Sequence, residues 1–246
     1  MRLRQGYRFR HNPALRLFLI YGETFPLVRG AASQRAMDAD DISALFTRAD
    51  GTYLCARWNR PIAPIVFGVE DDSLGTVKGA FEAICALACH EMAETDAELG
   101  ANCMVFFFRD WEELLGVPDL GRLIEGLDDL VARLKIADAN QYRVFRFDDA
   151  GGIKAAFVFL RMDKHLSAVP AQTLALSQVV QTILLWSDQA FRDRSPLAVV
   201  EDGPTILRPD IAEVIRAAYD PVMPVVAKDA SHALRMAARV AQSKAN

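Results

Sequence analysis

The chain lacks the short glycine motifs that mark several common classes of enzyme. It contains no Gly-x-Ser-x-Gly sequence for a hydrolase nucleophile, no P-loop and no Gly-x-Gly-x-x-Gly loop for a dinucleotide. The pair Gly151-Gly152 is followed by no helix signal and is typical of a hairpin turn. The sequence therefore predicts neither a nucleophile elbow nor a nucleotide site, and we expect no cofactor.

Cysteine is scarce, and its spacing favours no disulfide. The four cysteines include no Cys-x-x-Cys pair, and a chain of 246 residues can fold without disulfide bonds. Cys85 and Cys89 stand four residues apart, a spacing that could hold a metal on one helical face, but no second pair completes such a site. We expect the cysteines to be reduced thiols that serve as small, buried residues of the core.

Long apolar runs and a strong net charge are also absent. No stretch approaches the roughly 20 apolar residues of a membrane span. The formal net charge of -4 provides no general attraction to nucleic-acid phosphate. The sequence thus predicts no membrane span and no nucleic-acid partner.

The charge is uneven, because five arginines precede the first acid, Glu23. They form a basic N-terminal arm: Arg2, Arg4, Arg8, Arg10 and Arg16. The uninterrupted apolar run after them covers only residues 17–21, which is shorter than the roughly 7–15 residues of a signal peptide. We expect a cytoplasmic protein, exported only if the start of the sequence is misassigned.

The remaining pattern is that of an α/β domain, and 52% hydrophobic residues provide a substantial core. The first half of the chain predicts a helix after Asp38, strands over 52–58 and 62–69, a helix from Asp71 to about Met92 and a strand over 103–108. The second half predicts helices over 111–115 and 127–136, a hairpin of 142–147 with 153–160, a helix after Pro170 and a helix over 209–219. The strand over 103–108 is almost continuously apolar, as expected of a strand covered on both faces.

The C-terminal part predicts one more helix, from about Asp229 to Gln242, which is amphipathic. We expect its packed residues to be Ala230, Leu234, Ala237 and Ala238. The chain is divided accordingly into a basic arm over 1–37, a single α/β domain over 38–224 and a C-terminal helix over 225–246. Docking of that helix on the domain is the simpler hypothesis, and binding of a partner is the alternative.

One apolar helix, "LALSQVVQTILLWSD" over 174–188, carries Ser177, Gln178 and Gln181 in its middle. Their spacing is that of His-Glu-x-x-His, in which two histidines hold zinc and the glutamate acts as general base. A glutamine cannot take a proton from zinc-bound water, and neither serine nor glutamine replaces a histidine ligand. The alternative is that the three residues bond to a neighbouring strand or face solvent.

Over most of residues 38–224 the chain resembles a family of uncharacterised bacterial proteins that are thought to be related to zincin peptidases. The family has a helix of the form Glu-Leu-x-Gln-x-Leu-Gly-Leu-x-Asn-Asp and a later Tyr-Asp-Pro. In this chain Gln178 falls at the glutamate, Gln181 at the glutamine, Ser187-Asp188 at Asn-Asp and Tyr219-Asp220-Pro221 at the later motif. The resemblance implies a zincin-like mixed sheet with a backing helix and a central helix. The central helix carries Ser177, Gln178 and Gln181, which are called the polar arc below.

Two other groups of residues have the chemistry of a binding site. His90-Glu91-Met-Ala-Glu94 places His90 and Glu94 at metal-ligand spacing on one face of the predicted long helix, although a solvated helix end is the simpler interpretation. Arg143 with Arg146, like Arg192 with Arg194, could meet an anionic ligand, but we expect these residues to form surface ion pairs.

The sequence therefore predicts a catalytically inactive zincin-like domain without a bound metal. It is expected to bind an unidentified protein or peptide beside a degenerate site formed by Ser177, Gln178, Gln181 and Asp188. One alternative is a hydrolase with its site elsewhere, using His90, Glu91 and Glu94. The other is a structural subunit that needs its arm and its C-terminal helix for assembly.

Overall fold

The computed structural model describes residues 28–29, 37–200 and 203–243, which form the mixed α/β architecture that the sequence predicts. The basic arm, apart from residues 28–29 and 37, lies outside the described residues. The strands are β1 Val28–Arg29, β2 Cys55–Ala56, β3 Pro64–Phe67, β4 Cys103–Phe108, β5 Gln141–Phe147, β6 Ile153–Arg161, β7 Leu197–Val199, β8 Thr205–Leu207 and β9 Val226–Ala227.

The helices are α1 Ala39–Phe46, α2 Asp71–Leu87, α3 Leu120–Leu123, α4 Leu127–Ile136, α5 Ala171–Ile183, α6 Pro209–Tyr219 and α7 Ser231–Ser243, with short 3₁₀ helices at Trp111–Gly116 and Leu166–Ala168. No helix in this part of the chain is both long enough and apolar enough to cross a membrane.

A four-stranded sheet in the order β3-β4-β6-β5 forms the centre of the fold. β3, β4 and β6 are parallel, and β5 pairs antiparallel with β6 through the predicted hairpin. Side chains of β4 alternate between two hydrophobic clusters, one built largely from α2 and α5 and the other from α4 and the 3₁₀ helix at Trp111–Gly116. The sheet is therefore covered on both faces, which is why the sequence of β4 shows no polar alternation.

The first helix begins where its acidic residues predict. The Asp38 carboxylate accepts hydrogen bonds from the backbone N–H groups of Asp40 and Asp41, at 3.1 and 2.9 Å. The Asp41 carboxylate in turn accepts a hydrogen bond from the Asp38 N–H group at 3.2 Å, which completes a capping box.

Helix α2 ends at Leu87, five residues earlier than expected. The N–H of Cys89 donates to the carbonyl of Ala86 at 3.1 Å, and the N–H of His90 donates to the carbonyl of Cys85 at 2.9 Å. This pair of bonds is a Schellman motif, whose left-handed position is normally glycine. Here Cys89 occupies that position with φ of 50°, so no glycine in the sequence marked the end of the helix.

Helix α5 is also shorter than predicted. It stops at Ile183, and Leu184 leaves the helix to form an antiparallel bridge with Arg57. Ser187 and Asp188 therefore do not lie on the helix that carries Gln178.

Helix α7 docks on α1 and α6, but through a different face from the one expected. Its buried residues are His232, Ala233, Met236 and Val240, which share one side of the helix. Leu234, which was expected to pack, is 63% exposed. The expected set did not include His232, whose side chain belongs to the buried stripe.

Candidate functional site: the polar network at Gln178

Helix α5 is buried along most of its length, including its polar side chains. Ser177, Gln178 and Gln181 are 8%, 4% and 5% exposed. Helix α5 also packs against α2. Buried amide groups require hydrogen-bond partners, and the partners of the three residues show what the polar arc does.

Gln178 bonds across to the edge strand of the central sheet. Its Nε2 donates to Oε1 of Gln141 at 2.9 Å, and its Oε1 accepts a hydrogen bond from Nη2 of Arg143. The same Nη2 donates to Oε1 of Gln141 at 3.1 Å. Gln141 and Arg143 are two residues apart on β5 and therefore point to the same face of the sheet. The three side chains form a closed network between α5 and β5.

Arg143 is the unusual member of this network. Its side chain is 0% exposed, and burial alone lowers the pKa of the guanidinium to about 9. Within the described parts of the chain no carboxylate pairs with it, and its Nε and Nη1 atoms have no hydrogen-bond partner. The expectation of a surface ion pair at Arg143 is wrong. Arg143 is a buried cation held by two amide oxygens.

Gln181 takes no part in this network. Its Nε2 donates to the carbonyl oxygen of Ser177 at 3.2 Å and to the Ser177 hydroxyl at 2.9 Å. Both bonds lie within α5, so Gln181 finds its hydrogen-bond acceptors on Ser177, one turn earlier in the same helix. The polar arc thus divides into one residue that reaches the sheet and two that bond along the helix.

Asp188 lies in a different environment from Gln178. Its Oδ1 accepts a hydrogen bond from the N–H of Ala49 at 3.1 Å, and its Oδ2 accepts one from Gln189 at 2.8 Å. Burial lowers the pKa of the Arg48 guanidinium, and the negative charge of Asp188 acts in the opposite direction. Asp188 therefore fixes the chain after α5 to the segment that follows α1, and none of these contacts involves the Gln178 network.

Tyr219, from the Tyr-Asp-Pro sequence, closes the C-terminal end of α5. Its hydroxyl donates to the carbonyl of Ile183 at 2.8 Å and accepts from the N–H of Trp58 at 3.3 Å. The Arg57 guanidinium lies 5.4 Å from the centre of the Tyr219 ring. Burial raises the pKa of this phenol above its ordinary range. The residue is thus a neutral bridge between the end of the helix and the β2 segment.

His90 and Glu94 do not share a helical face, because α2 ends before both of them. The His90 Nε2 lies 2.9 Å from the carbonyl oxygen of Arg60, its ring packs against Tyr219, and burial lowers its pKa. Glu94 is exposed. Among the residues that the structure describes, no three His, Cys, Asp or Glu side chains are grouped so that they could hold a metal ion.

The cysteines do not form a pair either. Cys85 is buried in α2, whereas Cys89 is exposed at the turn that follows it. Cys55 and Cys103 are buried, and burial raises the pKa of both thiols beyond the ordinary range. These two are inert core residues, as expected, whereas the expectation of burial is wrong for Cys89.

Sequence reasoning missed Gln141, and it placed Arg143 at the surface instead of in the interior. Their signal was the alternation in "QYRVFRF", which places Gln141, Arg143 and Phe145 on one face of β5. Phe145 is fully buried, and Gln141 and Arg143 on the same face are 1% and 0% exposed. Comparison with known proteins adds no further assignment, since no protein-family model, curated protein or solved structure matches the chain.

Proposed function

We propose that the chain is a zincin-like domain without catalytic activity at α5 and that it acts by binding a protein or a peptide. The observation that carries this proposal is the side chain at position 178, an amide held at one end by Gln141 and at the other by Arg143. An amide cannot take a proton from water at neutral pH, so it cannot serve as the general base of peptide hydrolysis. Recognition is the role that remains for this face of the domain.

The network also indicates the chemistry of the partner. The unused Nε and Nη1 donors of Arg143 pair best with a carboxylate or with a peptide carbonyl. Because Arg143 and Gln178 are buried, a partner reaches them only when the structure over α5 and β5 opens. We therefore expect binding to be coupled to a local conformational change.

The absence of metal catalysis is tested on the purified full-length chain after incubation with zinc and removal of free metal. We expect elemental analysis to find no stoichiometric zinc, and we expect no cleavage of casein that EDTA suppresses. One zinc per chain, or EDTA-sensitive cleavage, would contradict the proposal and favour a hydrolase with its site elsewhere.

Binding is tested by selecting peptides from a displayed library against the wild-type chain. Selected peptides are then measured against Arg143→Met, which removes the buried donors, and against Arg122→Met, which removes a surface arginine whose side chain is 84% exposed. We expect peptides with a free carboxylate to lose at least tenfold in affinity for Arg143→Met alone. If no peptides are enriched, or if both variants bind them equally well, there is no recognition at Arg143. Thermal melts establish that both variants are folded.

A further inference from the structure

Helix α7 is attached to the domain by a buried histidine. The Nδ1 atom of His232 lies 2.8 Å from the hydroxyl of Tyr53, and the two side chains are packed edge to face. His232 is 4% exposed and Tyr53 is 5% exposed. Met236 and Val240 continue the same buried stripe of α7, so His232 lies at the start of the contact that holds the helix in place.

The surroundings of His232 disfavour a positive charge. Its Nε2 atom is buried, and in the described part of the chain it has no hydrogen-bond partner. A proton on that atom would therefore lie where neither water nor an acceptor could stabilise it. His232 is also the second residue of α7, and the N-terminus of a helix repels cations.

The charged groups on the neighbouring elements do not offset these effects. Arg235, on the next turn of α7, is a cation that disfavours a second one. Helix α1 carries only the acids Asp40 and Asp41, both in its first turn. The acids of α6 and its end are engaged elsewhere, Asp210 with Arg208, Glu213 with Arg216 and Asp220 with Arg239.

Two more titratable groups stand near the contact. Tyr53 faces His232 directly, and burial raises the pKa of this phenol beyond its ordinary range, so it remains neutral. Asp229 precedes α7 and is exposed, and its effect is to raise the Tyr53 pKa further. Burial, with Arg235 as the second cause, lowers the pKa of His232 to about 4.

We propose that α7 is an acid-released latch, in which a proton on His232 detaches the helix from α1 and α6. The docked state requires the neutral imidazole, which can hold its single proton on Nδ1 towards the Tyr53 oxygen. The cation must also carry a proton on Nε2, and that proton has no acceptor among the described residues. When α7 is released, the imidazole reaches water and takes up a proton in the ordinary range near pH 6.5. This device does not depend on the proposed peptide binding.

The direction of the effect follows from these two states. The folded pKa of His232 lies below the value for the free side chain, so docking is fully favourable above about pH 6.5 and weakens as the pH falls. Between about pH 6.5 and pH 4 the docking equilibrium should fall by roughly tenfold for each pH unit. Below about pH 4 no further change is expected from this group.

Hydrogen exchange measured by mass spectrometry on the full-length chain tests the latch. The protection of α7, corrected for the intrinsic pH dependence of exchange, is compared with that of α5 between pH 7.5 and 4.5. We expect α7 in the wild-type chain to lose at least tenfold in protection relative to α5 across this range. His232→Gln can bond to Tyr53 but does not titrate, so its α7 protection should remain constant.

The control is His165→Gln, which alters an exposed histidine and should behave like the wild type. The latch is excluded if α7 of the wild type loses no protection relative to α5, or if His232→Gln loses as much as the wild type. An NMR titration of the wild-type imidazole signals gives a second test that needs no variant. A His232 signal that titrates near pH 6.5 while α7 stays docked would overturn the proposal.

Discussion

Arg143 shows how one side chain can set the properties of its neighbours. A guanidinium removed from water normally gains a carboxylate partner, because an unpaired buried charge is strongly destabilising. Among the described residues, Arg143 is bonded to the oxygens of Gln141 and Gln178, each of which carries a partial negative charge. The residue at position 178 therefore determines how well this cation is balanced.

Gln178→Glu should stabilise the protein. A carboxylate at this position accepts the hydrogen bond of Arg143 with a full negative charge. Gln141 then rotates its amide so that its Nε2 faces the new carboxylate, which takes its Oε1 away from Nη2 of Arg143, and the charged hydrogen bond outweighs the neutral one that is lost. We expect a gain of about 1–3 kcal/mol in the free energy of unfolding at pH 7. Thermal unfolding followed by circular dichroism measures it as a higher Tm.

The gain should depend on pH in a defined direction. Arg143 depresses the pKa of the new carboxyl in the folded state, so the extra stability is present above about pH 4.3 and is lost as the pH falls further.

The matched control is Gln181→Glu on the same helix. Its described hydrogen-bond partners are the Ser177 carbonyl and hydroxyl, neither of which is a cation, so the substitution should lower the Tm. Equal destabilisation by both variants would show that Arg143 is not the deciding partner.

At the scale of single elements, helix α2 ends under backbone strain. Cys89 occupies the left-handed position of the Schellman motif, where a residue with a Cβ atom is disfavoured by about 1–2 kcal/mol relative to glycine. The two hydrogen bonds of the motif hold the residue there. The strain is therefore a local property that one substitution can remove.

Cys89→Gly should raise the free energy of unfolding by about 1 kcal/mol, because glycine adopts positive φ without strain. The exposed thiol makes no buried contact that would be lost. Cys89→Ala keeps the Cβ atom and should give no comparable gain. Urea unfolding of both variants checks the prediction, and a larger gain for alanine than for glycine would contradict it.

The same elements show what the sequence could and could not predict. Apolar periodicity and capping residues correctly predicted the type and order of the main helices and strands. The end of α2 was missed because a local Schellman motif without glycine sets it, and the end of α5 was missed because a tertiary contact, the bridge of Leu184 to Arg57, sets it. Gln178 could be placed in the interior by pattern, but its partner Arg143 could not, since a charged residue is usually assigned to the surface.

At the scale of the whole molecule, α7 and the sheet belong to one hydrophobic core. Met236 is 0% exposed and Val240 is 3% exposed, and both lie in the cluster that contains residues of α1, α2, α5 and α6. Folding of the C-terminal helix should therefore be coupled to that of the domain at neutral pH.

Met236→Ala should lower the free energy of unfolding by about 2–5 kcal/mol, because it leaves a cavity in this shared core. Leu234→Ala, on the exposed side of the same helix, should change it by less than about 0.5 kcal/mol. Differential scanning calorimetry at pH 7.5 should show a single transition that moves to lower temperature only for Met236→Ala. An unchanged main transition in that variant would mean that α7 folds independently of the domain.

The pairing of β2 with β9 affects how the protein folds during its synthesis. Cys55 pairs with Ala227, so the ribosome must add roughly 170 further residues after β2 before the partner strand β9 has been synthesised. This takes roughly 10–30 s at ordinary rates of synthesis. During that interval the growing chain on the ribosome carries an unfinished core, with the apolar residues of α1 and β2 uncovered. Chaperones that hold nascent chains are expected to engage this protein in that window, and ribosome profiling of chaperone-bound complexes would detect them there.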